Sequence, residues 1–300
     1  MHKLPLVIAL GLTLAACGQE AEPPAATAAA DQAPATTEPA AEPAAPELSK
    51  IEQVLAGEHR SDKNRARDGW RHPAETLEFF VINGTESVIE ITPGGGWYTE
   101  VLAPYMKDNG KFTAAILDPA SGPERARNYY TESNQKFRDK LAADADTYGA
   151  VQVIEFDAAK PVLGEPDSVD RVLTFRNVHN WSNSGNDQAM FEAFFAVLAP
   201  GGILGVVEHR AAEGTSKEDS MKSGYVAEAE VIAMAEQAGF VLDGQSEINA
   251  NPADTRDHPS GVWNLPPNLR MKEGEEDQAK YEAIGESDRM TLRFSKPSET

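Results

Sequence analysis

The stretch Val88-Ile-Glu-Ile-Thr-Pro-Gly-Gly-Gly-Trp-Tyr98 constrains this chain more than any other. Val88, Ile89 and Ile91 are β-branched, with only Glu90 polar among them, which suits a strand buried on both faces of a parallel sheet. Gly94, Gly95 and Gly96 follow at once, and Tyr98, Val101, Leu102, Tyr105 and Met106 then recur at helical spacing. Strand, glycine turn, helix is the order in which a backbone approaches a ligand closely beside a helix N-terminus. Glycines also serve plain turns that need positive φ. The flanking strand and helix favour a cofactor loop, with Glu90 placed to hold hydroxyls or a cationic group.

The rest of the chain repeats the alternation. Strands are expected at Phe112–Leu117, Val151–Phe156, Val169–Phe175, Ile203–Val207, Phe240–Ile248 and Met290–Phe294. Helices are expected from Ser121 towards Ala143, over Gln188–Leu198 and over Tyr225–Ala238. Such an order predicts an α/β fold with a doubly wound, Rossmann-like sheet. Polar residues collect just after the first five strands, at the edge where such sheets bind ligands. Asp118 ends the second strand 22 positions beyond Gly96, close to the spacing at which a nucleotide ribose is gripped.

The two ends of the chain differ from this middle. Met1-His-Lys3 is basic, Leu4–Leu14 is apolar but too short to span a bilayer, and Leu14-Ala-Ala-Cys17 closes the run. This has the form of a secretory signal over 1–16, and its end resembles the lipobox of bacterial lipoproteins, which implies lipidation of Cys17. Gly18 follows, without the aspartate associated with inner-membrane retention, so an outer-membrane anchor facing the periplasm is expected. Cys17 is the one cysteine of the chain, which excludes an internal disulfide or a thiolate nucleophile downstream. Residues 17–48 are rich in Ala, Pro, Glu and Thr and lack aromatics, the composition of a disordered tether. One large domain, 49–300, remains. The net charge of -21 argues against nucleic acid or anionic lipid as partners.

Within that domain, residues 49–86 read as a helical cap. It holds a basic island (Arg60, Lys63, Arg65, Arg67, Arg71) between His59 and His72. The island is either a solvated face paired to nearby carboxylates or a cover over the glycine loop whose arginines meet an anionic substrate. Residues 251–287 are long, proline-rich and charged, and read as a lid or a loose surface excursion.

Taken together, Glu90-Ile-Thr-Pro-Gly-Gly-Gly96, Asp118, Asp157 and the turn Leu198-Ala-Pro-Gly-Gly202 resemble the motifs of class I S-adenosylmethionine-dependent methyltransferases. That family has a seven-stranded sheet whose last strand is antiparallel. More narrowly, Pro93-Gly-Gly-Gly-Trp-Tyr-Thr99, Leu173–Trp181, Val206-Val-Glu-His-Arg210 and Gly285–Thr291 resemble an exported, lipoprotein group of predicted bacterial methyltransferases. The resemblance covers 49–300 and implies S-adenosylmethionine as cofactor. It implies contacts from Glu90, Gly94, Gly95, Gly96, Asp118 and, on the adenine side, Asp157. Tyr98 either touches the cofactor's carboxylate end or begins the helix. Thr92 departs from the pattern, standing where the motif has its first glycine, and Thr99 counts against a nicotinamide cofactor. The segment after the fourth strand has no Asn-Pro-Pro-Tyr-like element, which disfavours DNA adenine methylation.

Methyl transfer needs alignment and, for some acceptors, a base. His179, after the fourth strand, is the candidate base, with Asn177 to position an acceptor and Arg176 to bind an anionic one; each of the three can instead order the loop. Trp181 stacks on a ligand or packs. Glu208, His209 and Arg210 end the fifth strand and can complete the pocket. With His179 they can also bind a cation, but no close-spaced ligand motif supports a metal. The expected function is methyl transfer to a small molecule or envelope component. Two alternatives are a silent fold that binds a nucleoside-like or other small ligand in the periplasm and a scaffold for a protein partner.

Overall fold

The computed structural model describes residues 48–298 except 123 and 273–276; the expected leader, Cys17 and nearly all of the expected tether lie outside these described residues. A seven-stranded mixed sheet runs through the domain. Its strands are β1 Ser87–Ile91, β2 Lys111–Leu117, β3 Gln152–Phe156, β4 Val169–Phe175, β5 Leu198–His209, β6 Val241–Ser246 and β7 Arg289–Ser295. Their order is β3-β2-β1-β4-β5-β7-β6. β1 to β5 are mutually parallel, and β7 enters antiparallel between β5 and β6.

Alternation along β1 shows how local sequence divides the core. Ile89 and Ile91 point into one apolar layer, roofed by helices Asp187–Val197 and Glu228–Ala238. Val88 points into the opposite layer, beneath helix Thr99–Met106 and the cap residues Leu77 and Phe80. Glu90 shares the parity of Val88 and so faces that helix, where Thr99 Oγ1 donates to its carboxylate at 2.7 Å. Burial pushes this carboxyl up to about 7.

The cap comprises four short helices between Lys50 and Phe79. Ser49 and Glu52 form a reciprocal capping box at its start, and Pro73 opens its last helix. Two expectations are corrected. The fifth strand is longer than expected: β5 runs from Leu198 to His209, and Pro200-Gly-Gly202 is a bulge within it, with Gly201 at φ +79° and unbroken pairing with β4 from Ile203 on. Nor is the described part of 251–287 a loose excursion. Asp254 accepts hydrogen bonds from Tyr225 OH at 2.9 Å, His258 Nε2 at 2.8 Å and the Asp288 amide at 2.8 Å, which pins the segment to the domain.

Candidate active site

Open parallel sheets bind ligands beyond their carboxyl edge, where the strand order reverses. Here that point lies between β1 and β4. The residues that leave these two strands, Thr92 and Arg176, are both left-handed, with φ of +51° and +63°. Each amide is pinned to a neighbouring strand, Thr92 N to Ala115 O at 2.8 Å and Arg176 N to Val207 O at 2.7 Å. Left-handed backbone at a residue with a Cβ costs about 1–2 kcal/mol and persists where the surroundings enforce it. The two strained exits flank a cavity of about 750 Å³, within the range of small-molecule sites.

The glycine loop forms one wall. A Cβ built on Gly94 or Gly95 meets nothing within 4 Å, so the bare backbone faces open space. Gly96 differs: a Cβ there comes within 3.0 Å of Phe137, and its role is to let helix Glu124–Ala143 pack close. Asp157 and Leu117 border the cavity on the same side. Asp118 does not, although Leu117 and Ser121 on either side of it do, and its Oδ1 accepts from the Ala120 amide. Glu90 lies beneath the loop rather than on its surface. Tyr98 is buried, stacked on Phe175 at 3.5 Å, with its hydroxyl donating to Arg71 O. Of the seven residues expected to hold a cofactor, the cavity wall therefore contains Gly94, Gly95 and Asp157.

The opposite wall begins at Arg176, Asn177 and His179. Asn177 Nδ2 donates to Ile91 O at 2.9 Å and so ties the start of helix Val178–Ser184 to the end of β1. His179 Nδ1 lies 3.0 Å from Glu208 Oε1. Glu208 is fully buried, and it also accepts from the Val178 amide at 2.6 Å and the His209 amide at 2.8 Å. With three donors converging on it, the carboxylate holds the His179 proton on Nδ1 and leaves Nε2 as an acceptor. His209, 5.4 Å away ring to ring, meets Ser287 Oγ through Nδ1. Burial first, then the neighbouring His179 and the positive charges of Arg176, Arg289 and Arg71, hold its pKa well below the ordinary histidine value. Arg210 turns away, gripping Glu247 through both Nη atoms at 2.6 Å and Asp288 through Nε. Trp181 packs edge-on to Phe194 and also borders the cavity.

His179, Glu208 and His209 each offer a ligand atom within 4.8 Å of the others, the spacing of a three-ligand metal site. Two facts oppose a cation there. Both Glu208 oxygens are already loaded with N–H donors, and the field at His209 is that of several guanidiniums.

What the sequence left hidden is the acid that gathers those guanidiniums. Glu286, 219 residues from Arg67, receives Arg67 Nε at 2.5 Å, Arg71 Nε at 3.0 Å and Arg289 Nη2. Burial alone pushes the Glu286 carboxyl up, but Arg289, Arg71, Arg67 and Arg176 overcome it and hold the group well below the usual carboxylate range. The basic island thus divides. Arg60 is a structural ion pair with Asp68, at 2.6 Å, whereas Arg67 and Arg71 reach the cavity. Val262, Trp263 and Pro266, from the pinned 251–287 segment, close the same wall. No local signal marks them, because their place depends on the Asp254 contacts.

No protein-family model matches the sequence, and no curated protein matches it. Solved structures do match its fold. An S-adenosylmethionine-dependent methyltransferase from Aquifex aeolicus superposes with a TM-score of 0.51 at 16% identity, over 82% of this chain and 97% of that one. The [4+2]-cyclase SpnF superposes with a TM-score of 0.53 at 17% identity, over 81% and 86%. The chain has the Rossmann-like fold of class I S-adenosylmethionine-dependent methyltransferases. At such identities the likeness establishes the fold alone, and a cyclase among its bearers shows that the reaction must be argued from the site.

Proposed function

We propose that this protein is an S-adenosylmethionine-dependent methyltransferase acting on a small-molecule or cell-envelope acceptor. One observation carries the reading. Across a single cavity, an open glycine backbone and Asp157 stand on one side and the buried His179–Glu208 pair on the other. Gly94 and Gly95 would hold the cofactor through backbone, with Asp157 and, from just behind the wall, Asp118 on its nucleoside. The bound cofactor supplies an electrophilic methyl on a sulfonium.

The chain's own residues do the rest. His179 Nε2 takes the acceptor proton as the new bond forms, and Glu208 fixes the ring and balances the charge that results. Asn177 keeps this wall in register with the glycine loop through Ile91. Trp181, Val262 and Trp263 exclude water from one side. The exported, lipid-anchored placement through Cys17 belongs to the same proposal and rests on the leader's form. Loss of labelled palmitate in a Cys17→Ser variant tests it.

Calorimetric titration of the purified protein with S-adenosylmethionine and S-adenosylhomocysteine tests the cofactor site. Micromolar binding that weakens at least tenfold in Asp157→Ala and Asp118→Ala is expected. No binding to folded, monodisperse protein would refute it. The second reading, a silent ligand-binding fold, is favoured by Thr92, a strained residue with an unpartnered, buried Oγ1 beside the glycine loop. Binding without any label transfer to envelope extract would select it.

A further inference from the structure

Three guanidiniums bond Glu286 and a fourth, Arg176, lies in its field; beyond that acid Arg71 has the face of Trp97 at 4.6 Å and Arg289 has Trp70 O, neither of which supplies a second negative charge. Arg67 Nη2 and Arg71 Nη2 are buried and lack a hydrogen-bond partner, and Arg71 is only 2% exposed. Arg176 makes no side-chain hydrogen bond or ion pair with the described residues, yet its left-handed backbone delivers it to the cavity wall. Arg67 and Arg71 border the same cavity. Glu208, the other carboxylate that Arg176 feels, is committed to three N–H donors. Arg67 and Arg71 share one acid with Arg289, which leaves a surplus of positive charge at the wall, and the half-buried, strained Arg176 adds to it. A fold keeps such an arrangement where a ligand supplies the missing charge.

We propose that the methyl acceptor carries an oxyanion, a carboxylate or phosphate, held by Arg67, Arg71 and Arg176 beside His179. The planar fork of arginine matches both groups with paired hydrogen bonds, which lysine does not. Burial and Arg176 both oppose the charge of Arg71, so an anion relieves the cluster as well as binding to it. The net charge of -21 does not prevent this. At physiological salt, exposed charges are screened over about 8 Å, so the arginines at the wall decide the local field. The same field disfavours a divalent cation on the neighbouring histidines. That the ligand is an acceptor rests on the methyltransferase reading; that the site takes an anion rests on the guanidiniums alone.

S-adenosylhomocysteine has a carboxylate of its own, and the test separates the two sources. Inorganic phosphate is titrated into the purified full-length protein, alone and saturated with S-adenosylhomocysteine. Phosphate is expected to bind in both conditions. Arg176→Gln should weaken it at least tenfold and Arg176→Lys less, with S-adenosylhomocysteine affinity unchanged within twofold. Arg176→Gln should not lower the Tm, because no protein group loses a partner. Absence of phosphate binding to folded protein overturns the proposal, as does a steep fall in Tm. So does competition by S-adenosylhomocysteine, together with an Arg176→Gln variant that binds it weakly but binds methylthioadenosine, which lacks the carboxylate, normally. If phosphate binds through Arg176 and S-adenosylhomocysteine does not bind at all, the anion site stands and the methyltransferase reading falls.

Discussion

Two buried polar clusters tie the same C-terminal segment to the domain, and they are built on opposite lines. Around Asp254 every carboxylate oxygen is loaded: Tyr225 OH reaches both at 2.9 Å, and His258 Nε2, the Arg256 amide and the Asp288 amide complete the set. Burial opposes the Asp254 charge, but these donors, His258 first, hold its pKa below the ordinary value. Around Glu286, four arginines share one acid and two Nη2 groups go without a partner. The first cluster satisfies its acid within the chain, and none of Asp254, Tyr225, His258 and Asp288 lines the cavity. The second is incomplete and opens on the cavity. Saturation marks architecture, and a shortfall of partners beside a cavity marks a ligand.

The largest effect is expected from breaking the saturated cluster. Asp254→Ala strands a buried hydroxyl, an imidazole and two amides, and should cost about 3–5 kcal/mol in chemical denaturation. A loss under about 1 kcal/mol would undo the contrast. On the cavity side, His179→Ala should slow transfer of labelled methyl to envelope extract by about 10²–10⁴-fold while leaving S-adenosylhomocysteine affinity unchanged. Equal rates would remove His179 from the chemistry.

Glu90 lies between the two cases, a buried acid with one donor from a side chain and no cavity. Its pKa stands at about 7 against an ordinary 4.5, so the folded state holds its proton more tightly. The stabilisation from that proton is complete below pH 4.5 and is lost as pH rises towards 7. At about 1.4 kcal/mol per pH unit it comes to about 3 kcal/mol. Glu90→Gln, which keeps the acceptor for Thr99, should therefore gain about that much on the wild type between pH 4.5 and pH 8. Parallel stability curves for the two proteins would place the Glu90 carboxyl near its ordinary value. The smallest effect belongs to Thr92. Thr92→Gly removes a Cβ from φ +51° and should stabilise the fold by about 1 kcal/mol, measured as a rise in Tm. Destabilisation would mean that the buried hydroxyl has a partner.

Much of this was legible along the chain because it depends on near neighbours. Alternation in Val88–Ile91, helical spacing after Gly96 and glycines at the β1 exit each report a local period or a local φ, and together they specify the sheet and its ligand edge. His179 was found because a residue just beyond a parallel strand must sit at that edge. The pairs that complete the site have no such signal. Arg67 and Arg71 meet Glu286 across 219 and 215 residues, and Ser287 meets His209 across 78.

By itself, then, the sequence determined an α/β domain whose glycine loop follows the first strand, since hydrophobic period and backbone freedom are properties of a few adjacent residues. Only the tertiary structure decided which polar groups face the cavity. It turned Tyr98 and Glu90 into packing beneath the loop and set Val262, Trp263 and Pro266 in the cavity wall. It also left Arg67, Arg71 and Arg176 short of partners. Whether a buried charge is satisfied depends on what distant segments bring to it, and no local pattern encodes that sum.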